Sequence, residues 1–460
     1  MSQVSPLPIG TLLRNISRSI GIKLVLVSFL ALLMAIPAFF VSDVIEERAK
    51  RAKDVTEEIS GRMGGEQTFL GPMLSIPYTI PTVYKHNSTT PVTGVYVVFP
   101  AKGNASLKIK TEERRRSLFK VPVYQTELKF DAAFDLTGVP SAAPAGAELD
   151  WSHAGIVVGA SDARGAQADR TLSIDGKTLT FSPAESDEGD NPRFHLAYFG
   201  ARVSDIAKPN AIFNVTANLR FSGAKRIAVL AFAKSTHLAV DGDWPSPGFD
   251  GGLLPLKRTI SPQGFTGEWS VPFIARGIPA EGINSVVSEL DRTAMGVSFI
   301  EVADPYQSVS RSVKYSLLFV ALLFLTYFVF EVTAGKRVHL SQYILVGIAH
   351  MIFYLLLLSL AERIGFDLGF LVAGGSTVLL LSANADWIFA SRTQGLRALF
   401  IFSLLYFFIY LLLRLEDNAL LVGAVASFLA VAGVMYFTRN IDWYSSIAGG
   451  RGALKEENKA

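Results

Sequence analysis

The sequence predicts a membrane α-helical protein: one amino-terminal transmembrane helix, a large inserted and mainly antiparallel β domain, then five further transmembrane helices. Three observations predict this. Apolar residues concentrate in 20–41 and in nearly all of 313–438, whereas 42–312 has the composition of a soluble domain. The first run, and each of five segments within the second, has about the length that a helix needs to cross a hydrocarbon core roughly 30 Å thick. Between them, apolar and polar residues alternate with period two, as in strands with one buried face. The chain as a whole is 50% hydrophobic and only 18% charged, against about 25% charged in an ordinary soluble protein.

The first span covers 20–41, with Lys23 near its start as the one charge. Arg14, Arg18 and Lys23 lie on its amino-terminal side, and Asp43, Glu46 and Glu47 follow it. That asymmetry predicts a cytoplasmic segment 1–19. A cleavable signal peptide is the competing reading. It is disfavoured because the apolar run is long and no small-x-small site follows. Instead Val41, Ile45, Ala49, Ala52, Val55 and Ile59 recur at helical spacing, predicting a stalk helix over 42–60. The domain is expected to occupy 42–312 in all, and the five-helix bundle 313–438, with spans near 313–330, 340–360, 365–383, 396–413 and 419–437. Lys336, Arg337 and Arg392 fall in the loops this topology makes cytoplasmic, and Arg439, Arg451, Lys455 and Lys459 in the tail 439–460. Both termini are therefore expected in the cytoplasm, and 42–312 outside it.

Within the inserted domain, Leu128, Phe130, Ala132, Phe134 and Leu136 alternate with polar or small residues, as do Phe213, Val215, Ala217, Leu219 and Phe221. Asp175-Gly176 between two alternating runs reads as a hairpin. Residues 95–99 and 226–232 read as buried strands, 138–170 and 182–193 as loops, and 281–293 as a short helix. The basic run Arg114-Arg115-Arg116 reads as a solvated loop. The net charge of +3 gives no argument for a nucleic-acid partner, and the absence of cysteine excludes disulfides and thiolate sites.

Catalytic patterns are absent: no HExxH, GxSxG or GxxxxGK occurs. Ser117–Lys120 and Ser222–Lys225 match SxxK but lack its companion motifs, and read as coincidence. His86, His153, His195, His237, His339 and His350 include no pair at ligand spacing, so no metal or other cofactor is expected. Glu331, His339, Gln342, His350 and Glu362 are the polar residues of note at or inside the membrane; Asp386 joins them at a span end. Helix packing or interfacial hydration explains most of them, and His350 is the deepest. Gly374-Gly375 is the one obvious interruption in a span, and reads as a site of close helix packing.

Three strings stand outside this logic. The first, 64–78, contains Gln67, Gly71, Pro72, Pro77 and Tyr78; the second, 244–255, contains Trp244, Pro245, Phe249 and Pro255; the third, 296–307, ends in Asp304-Pro305-Tyr306-Gln307. With Gln342-Tyr343 and the one-plus-five layout, they resemble the CreD family of bacterial inner-membrane proteins. The resemblance spans about 14–440, with departures at Gly248 and Leu253. It implies a multi-pass inner-membrane protein supporting cell-envelope integrity within a stress response linked to β-lactams, with the inserted domain periplasmic. It implies no catalytic residues. The bilayer and an envelope protein or ligand are the expected partners; the sequence sets no oligomeric state. Two other readings stay open: a transporter or lipid-handling protein using the bundle, and a periplasmic enzyme acting on cell wall.

The junction before the second span carries Tyr306, Arg311, Lys314 and Tyr315, residue types suited to an interface. Arg311 or Lys314 is expected near the stalk acids Asp43, Glu46, Glu47 and Asp54, orienting the domain on the membrane. The topology itself is testable, because a cysteine-free chain gives clean single-cysteine labelling. Ser161→Cys is expected to react with an impermeant thiol reagent in cells with a permeabilised outer membrane; resistance would contradict the orientation.

Overall fold

The computed structural model describes residues 20–414 except 86–87, 117–118, 168–170, 185–195, 300–304 and 335, together with 424, 425, 428, 432, 435, 436 and 439. It divides into two compact units, 1–51 with 303–460, and 52–302.

The amino-terminal stretch is helical over Ile20–Leu33, in the first unit, and again over Ala35–Arg62, which begins in the first unit and ends in the second. Pro37 accounts for the break, because its ring has no N–H to offer Leu33 and crowds that carbonyl. Helices Ser316–Ala334, Leu340–Ile364, Phe366–Phe389 and Arg392–Arg414 follow. With the first stretch they make five helices long and apolar enough to cross a membrane among the described residues. The second span differs from expectation at its start. A separate helix, Pro305–Lys314, precedes Ser316–Ala334. The span expected at 419–437 lies largely outside the described residues, as do 1–19 and most of 439–460; the residues described at 424, 425, 428, 432, 435 and 436 are helical. Small residues set close contacts. A Cβ on Gly347 would meet Met34 Sδ at 2.6 Å, and one on Gly374 would meet Phe370 and Tyr406 at 3.3 and 3.5 Å. The helix Phe366–Phe389 runs unbroken through Gly374-Gly375; Gly374 is buried at a packing contact, whereas a Cβ on the exposed Gly375 would meet nothing within 4 Å.

The second unit is a two-layer β structure. Its strands in chain order are β1 Gln67–Lys85, β2 Ser88–Val98, β3 Lys102–Arg116, β4 Phe119–Asp135, β5 Glu148–Leu149, β6 Gly155–Ala160, β7 Thr171–Ile174, β8 Lys177–Leu179 and β9 Ser182–Pro183. Then come β10 Ala197–Arg202, β11 Ile212–Ala224, β12 Arg226–Val229, β13 Ser235–Gly242, β14 Pro247–Gly251, β15 Lys257–Ser261, β16 Gly264–Val271, β17 Glu281–Ile283 and β18 Met295–Phe299. One sheet of ten strands runs β14-β18-β12-β1-β6-β10-β9, with β2, β5 and β17 attached through β1 and β2. The other, of eight strands, runs β15-β16-β13-β3-β4-β11-β7-β8. The pairs β1–β12 and β3–β13 are parallel, and the remaining named pairs are antiparallel.

The predicted alternations become β4 and β11, paired Phe213↔Phe134 through Leu219↔Leu128. Their apolar faces enter one core with Phe69, Phe232, Leu238 and Trp269. Their polar faces, with Lys108, Lys129, Asn218 and Arg220, are exposed. Asp175 and Gly176 join β7 to β8 with φ of 45° and 86°, as a two-residue hairpin turn of primed type requires.

Three loop assignments are corrected. Residues 138–170 contain β5 and the buried strand β6, whose small residues in Gly155–Ala160 concealed a strand wedged between β1 and β10. Arg114–Arg116 continue β3, paired with β4 as far as Arg116↔Phe119, where a solvated loop was expected. Ser182-Pro183 form a short edge strand. Residues 281–293 hold β17, a helical turn Ser285–Ser288 and a 3-10 turn Glu289–Thr293 where one helix was expected. Circular dichroism of the segment 42–312 produced alone is expected to be dominated by sheet, and a helix-dominated spectrum would contradict this architecture.

Candidate functional site

The first string is the hub of the ten-stranded sheet. β1 pairs with β12, β2, β5 and β6 along its length. At its start the buried Gln67 amide is bonded at both ends. Nε2 donates to Gly64 O at 2.7 Å and Asp162 O at 3.0 Å; Oε1 accepts from Ser161 Oγ at 3.3 Å and Asp162 N–H at 3.4 Å. The Asp162 carboxylate caps the 3-10 turn Ala163–Gly165 by accepting from Arg164 N–H, and a hydrogen bond from the Arg164 side chain holds it below its ordinary range, so the stabilisation from these bonds is present at neutral pH and lost as pH falls through that lowered value. Gly71 and Pro72 occupy the register shift between Leu70 and Met73. Proline suits a bulge because it has no ladder N–H to donate. Gly71 and Gly103 make room for Phe232, since a Cβ on either would lie 2.5 Å from its ring. Pro77 pairs with Val95, and Tyr78 lies across Gly94 of β2, where a Cβ would come within 2.7 Å of its ring.

The second string joins edge to edge. Trp244 and Pro245 follow β13; Trp244 meets Phe299 edge-on at 6.1 Å. Phe249 on β14 packs against Phe265 and Trp269, each at 5.9 Å. Trp269 Nε1 donates to Leu253 O at 3.0 Å. Arg226 Nε donates to Asp250 Oδ1 at 2.8 Å. This pair spans from β12 to β14 over Gly296 of β18, where a Cβ would stand 2.2 Å from Asp250 Oδ1 and 2.8 Å from Arg226 Nη2. Gly251 and Gly252 lie flat on the 292–294 backbone, with a Cβ on Gly252 only 1.7 Å from Arg292 O. Pro255 precedes Leu256, whose N–H donates to Glu268 O at 2.8 Å.

The third string begins as β18. Asp304 lies outside the described residues, and Pro305 opens the helix that carries Tyr306 and Gln307. Tyr306 OH donates to Glu362 Oε1 at 2.8 Å, so two of the residues picked from sequence meet. Ile45 and Val309 belong to one buried apolar cluster.

Among the helices, Glu331 is 8% exposed and pairs with Lys23. Lys23 also donates to Val338 O at 2.7 Å, and Tyr343 OH donates to Glu331 Oε2 at 3.1 Å. Gln342, beside Tyr343, is half-buried, and its N–H donates to His339 O at 3.0 Å. His339 caps the helix Leu340–Ile364, accepting from Ser341 N–H at 3.2 Å. His350 is fully buried, with Nδ1 2.8 Å from Tyr406 OH and Nε2 3.1 Å from Tyr354 OH. A neutral ring donates at one nitrogen and accepts at the other, so this geometry uses both. At a further helix end Arg414 Nη2 donates to Asp367 Oδ2 at 2.6 Å and Tyr410 OH to Oδ1 at 3.0 Å.

Sequence reasoning passed over Lys23, Tyr343, Tyr354 and Tyr406 as partners. A lone lysine in an apolar span and a tyrosine four residues after His350 were the available signals. It also missed Arg276, buried over the Phe99 ring at 4.3 Å and donating to Ala231 O, Ile278 O and Pro279 O. Burial pushes this guanidinium down to about 10, still cationic at neutral pH. Glu281, likewise missed, accepts from Ser141 N–H at 3.1 Å. Ser222 of the SxxK match is committed to main-chain acceptors, Met63 O at 3.0 Å and Gly165 O at 3.3 Å. Among the described residues no group of three or more His, Cys, Asp or Glu could hold a metal ion.

Apolar helices of spanning length and a large β unit define a multi-helix membrane protein. The family model for inner membrane protein CreD matches residues 19–444, and the chain belongs to that family. Inner membrane protein CreD of Escherichia coli is 30% identical over 419 residues, covering 90% of this chain and 91% of that one. Among solved structures, a putative nutrient binding protein from Legionella pneumophila aligns with 55% of this chain and 81% of its own, at 11% identity and a TM-score of 0.25. An M1 zinc metallopeptidase from Deinococcus radiodurans aligns with 44% of this chain and 42% of its own, at 8% identity and a TM-score of 0.19.

Two substitutions test this packing. Gly296→Ala is expected to cost about 1–3 kcal/mol in denaturant unfolding, because the methyl parts Arg226 from Asp250. The cost should shrink in an Asp250→Ala background, where there is no pair left to part. Lys23→Met leaves Glu331 buried without its cation and is expected to lower the thermal stability of the detergent-solubilised chain, by at most the roughly 3–5 kcal/mol of a fully buried pair. Adding Glu331→Gln should restore most of that loss.

Proposed function

We propose that this chain is a non-enzymatic, multi-pass inner-membrane protein that supports cell-envelope integrity during envelope and β-lactam stress. Its β unit lies in the periplasm, both termini lie in the cytoplasm, and the β unit contacts an envelope protein or ligand. One observation carries the reading: the family strings are engaged in packing and turns. Gln67, Gly71, Tyr78, Trp244 and Phe249 close the core of the β unit. What the unit offers outward is a broad polar sheet face and its strand edges. Family membership supports the inner-membrane location, and the placement of Lys and Arg supports the orientation.

A strain lacking this chain, challenged with a β-lactam and with detergent, tests the proposal. The full chain is expected to restore survival. A variant with 64–299 replaced by a short linker, and verified as inserted, is expected to fail; full rescue by it would overturn the role given to the β unit. The second reading, transport or lipid handling by the helices, draws on His350 held between Tyr354 and Tyr406. It requires His350→Phe to abolish rescue at unchanged protein level.

A further inference from the structure

The second string links two strand edges. β14 ends the ten-stranded sheet, β15 ends the eight-stranded sheet, and residues 252–256 join them. Each edge strand has a single named neighbour, β18 for β14 and β16 for β15. Phe249 packs on Phe265 and Trp269, so β14 covers the inner face of β16. β15 extends beyond that cover.

Its register on β16 fixes which side chains face inward. Arg258 and Ile260 pair with Gly267 and Phe265, on the face that carries the buried Phe265 and Trp269. Lys257 and Thr259 pair with Glu268 and Thr266, on the outer face. Yet Ile260 is 51% exposed, and the adjoining Leu256 and Leu254 are 72% and 66% exposed. An inward-facing row left this bare on an edge strand is an incomplete layer. Edge strands are normally blunted against such pairing. Charge is the one such device here, and it is of a single sign. Arg258 lies over the Phe249 ring at 5.9 Å, with no ion pair among the described residues. Lys257 stands opposite Glu268, also without an ion pair among the described residues.

We propose that β15 accepts an extended segment of a partner protein as an added antiparallel strand, and that this segment carries apolar residues around acidic ones. The added backbone takes up the free N–H and C=O groups of β15. Apolar side chains cover Leu256 and Ile260, and carboxylates meet Arg258 inside and Lys257 outside. A second copy of β15 is a poor occupant, because antiparallel self-pairing brings these cations together. The proposal rests on reading the β unit as a contact module.

The probe is a labelled Thr-Val-Thr-Glu-Glu-Val-Thr peptide, followed by fluorescence anisotropy on the full chain in detergent. Binding is expected, with the same peptide carrying Lys for Glu failing to bind. Arg258→Glu and Ile260→Lys should each weaken binding at least about tenfold, as the loss of one desolvated contact implies. Unchanged thermal unfolding confirms that these exposed positions leave the fold intact. Equal binding to the variants, or no binding, overturns the proposal. So does β15-dependent binding to phosphatidylglycerol vesicles in place of peptide, or a change of oligomeric state in the variants. If both variants also rescue the stressed strain fully, the added strand is wrong while the contact role of the β unit survives.

Discussion

The buried amide of Gln67 is the interaction on which the β unit depends. It stands where the long amino-terminal helix ends, at Gly64-Gly65, and the hub strand begins. Its four hydrogen bonds tie that turn, through Gly64 O, to the Asp162 backbone and the Ser161 hydroxyl. A side-chain amide out of water must bond at both ends or lose roughly 1–3 kcal/mol for each group left unmade. The arrangement therefore tolerates one registration of β1 against its neighbours. Because β1 meets β12, β2, β5 and β6, fixing its start fixes the order of the whole sheet.

Between the layers, the same economy recurs as glycine beneath an aromatic ring or an ion pair. Phe232 sits over Gly71 and Gly103, one from each sheet, and meets Phe130 edge-on at 5.1 Å. Interiors packed to crystal density leave no slack at such places, so one methyl group moves a ring or a strand. The Arg226–Asp250 pair crosses Gly296 for the same reason, and it holds the edge strand β14 to the sheet interior.

The helical unit meets a different constraint. Charges among apolar helices are retained where each finds a partner. Glu331 has Lys23 and Tyr343, Glu362 has Tyr306, and Asp367 has Arg414 and Tyr410. Lys23 comes from the first helix and Glu331 from the next apolar helix after the β unit, so this pair ties together helices far apart in sequence.

The sequence by itself determined the features that depend on local periodicity: the apolar helices, the alternating strands β4 and β11, and the Asp175-Gly176 turn. Length, period two and left-handed backbone preference act within a few residues, so a linear reading captures them. The family strings were equally visible, but their physical roles were not. That Gly296 lies under an ion pair and Gly71 under Phe232 depends on which strands lie side by side. β6 escaped notice because a strand of Gly, Val, Ile and Ala buried on both faces shows no alternation. Lys23 looked like a boundary residue, and only the packing of helices brought it to Glu331. The tertiary structure alone decided these pairings, because they join residues whose distance along the chain says nothing of their distance in space.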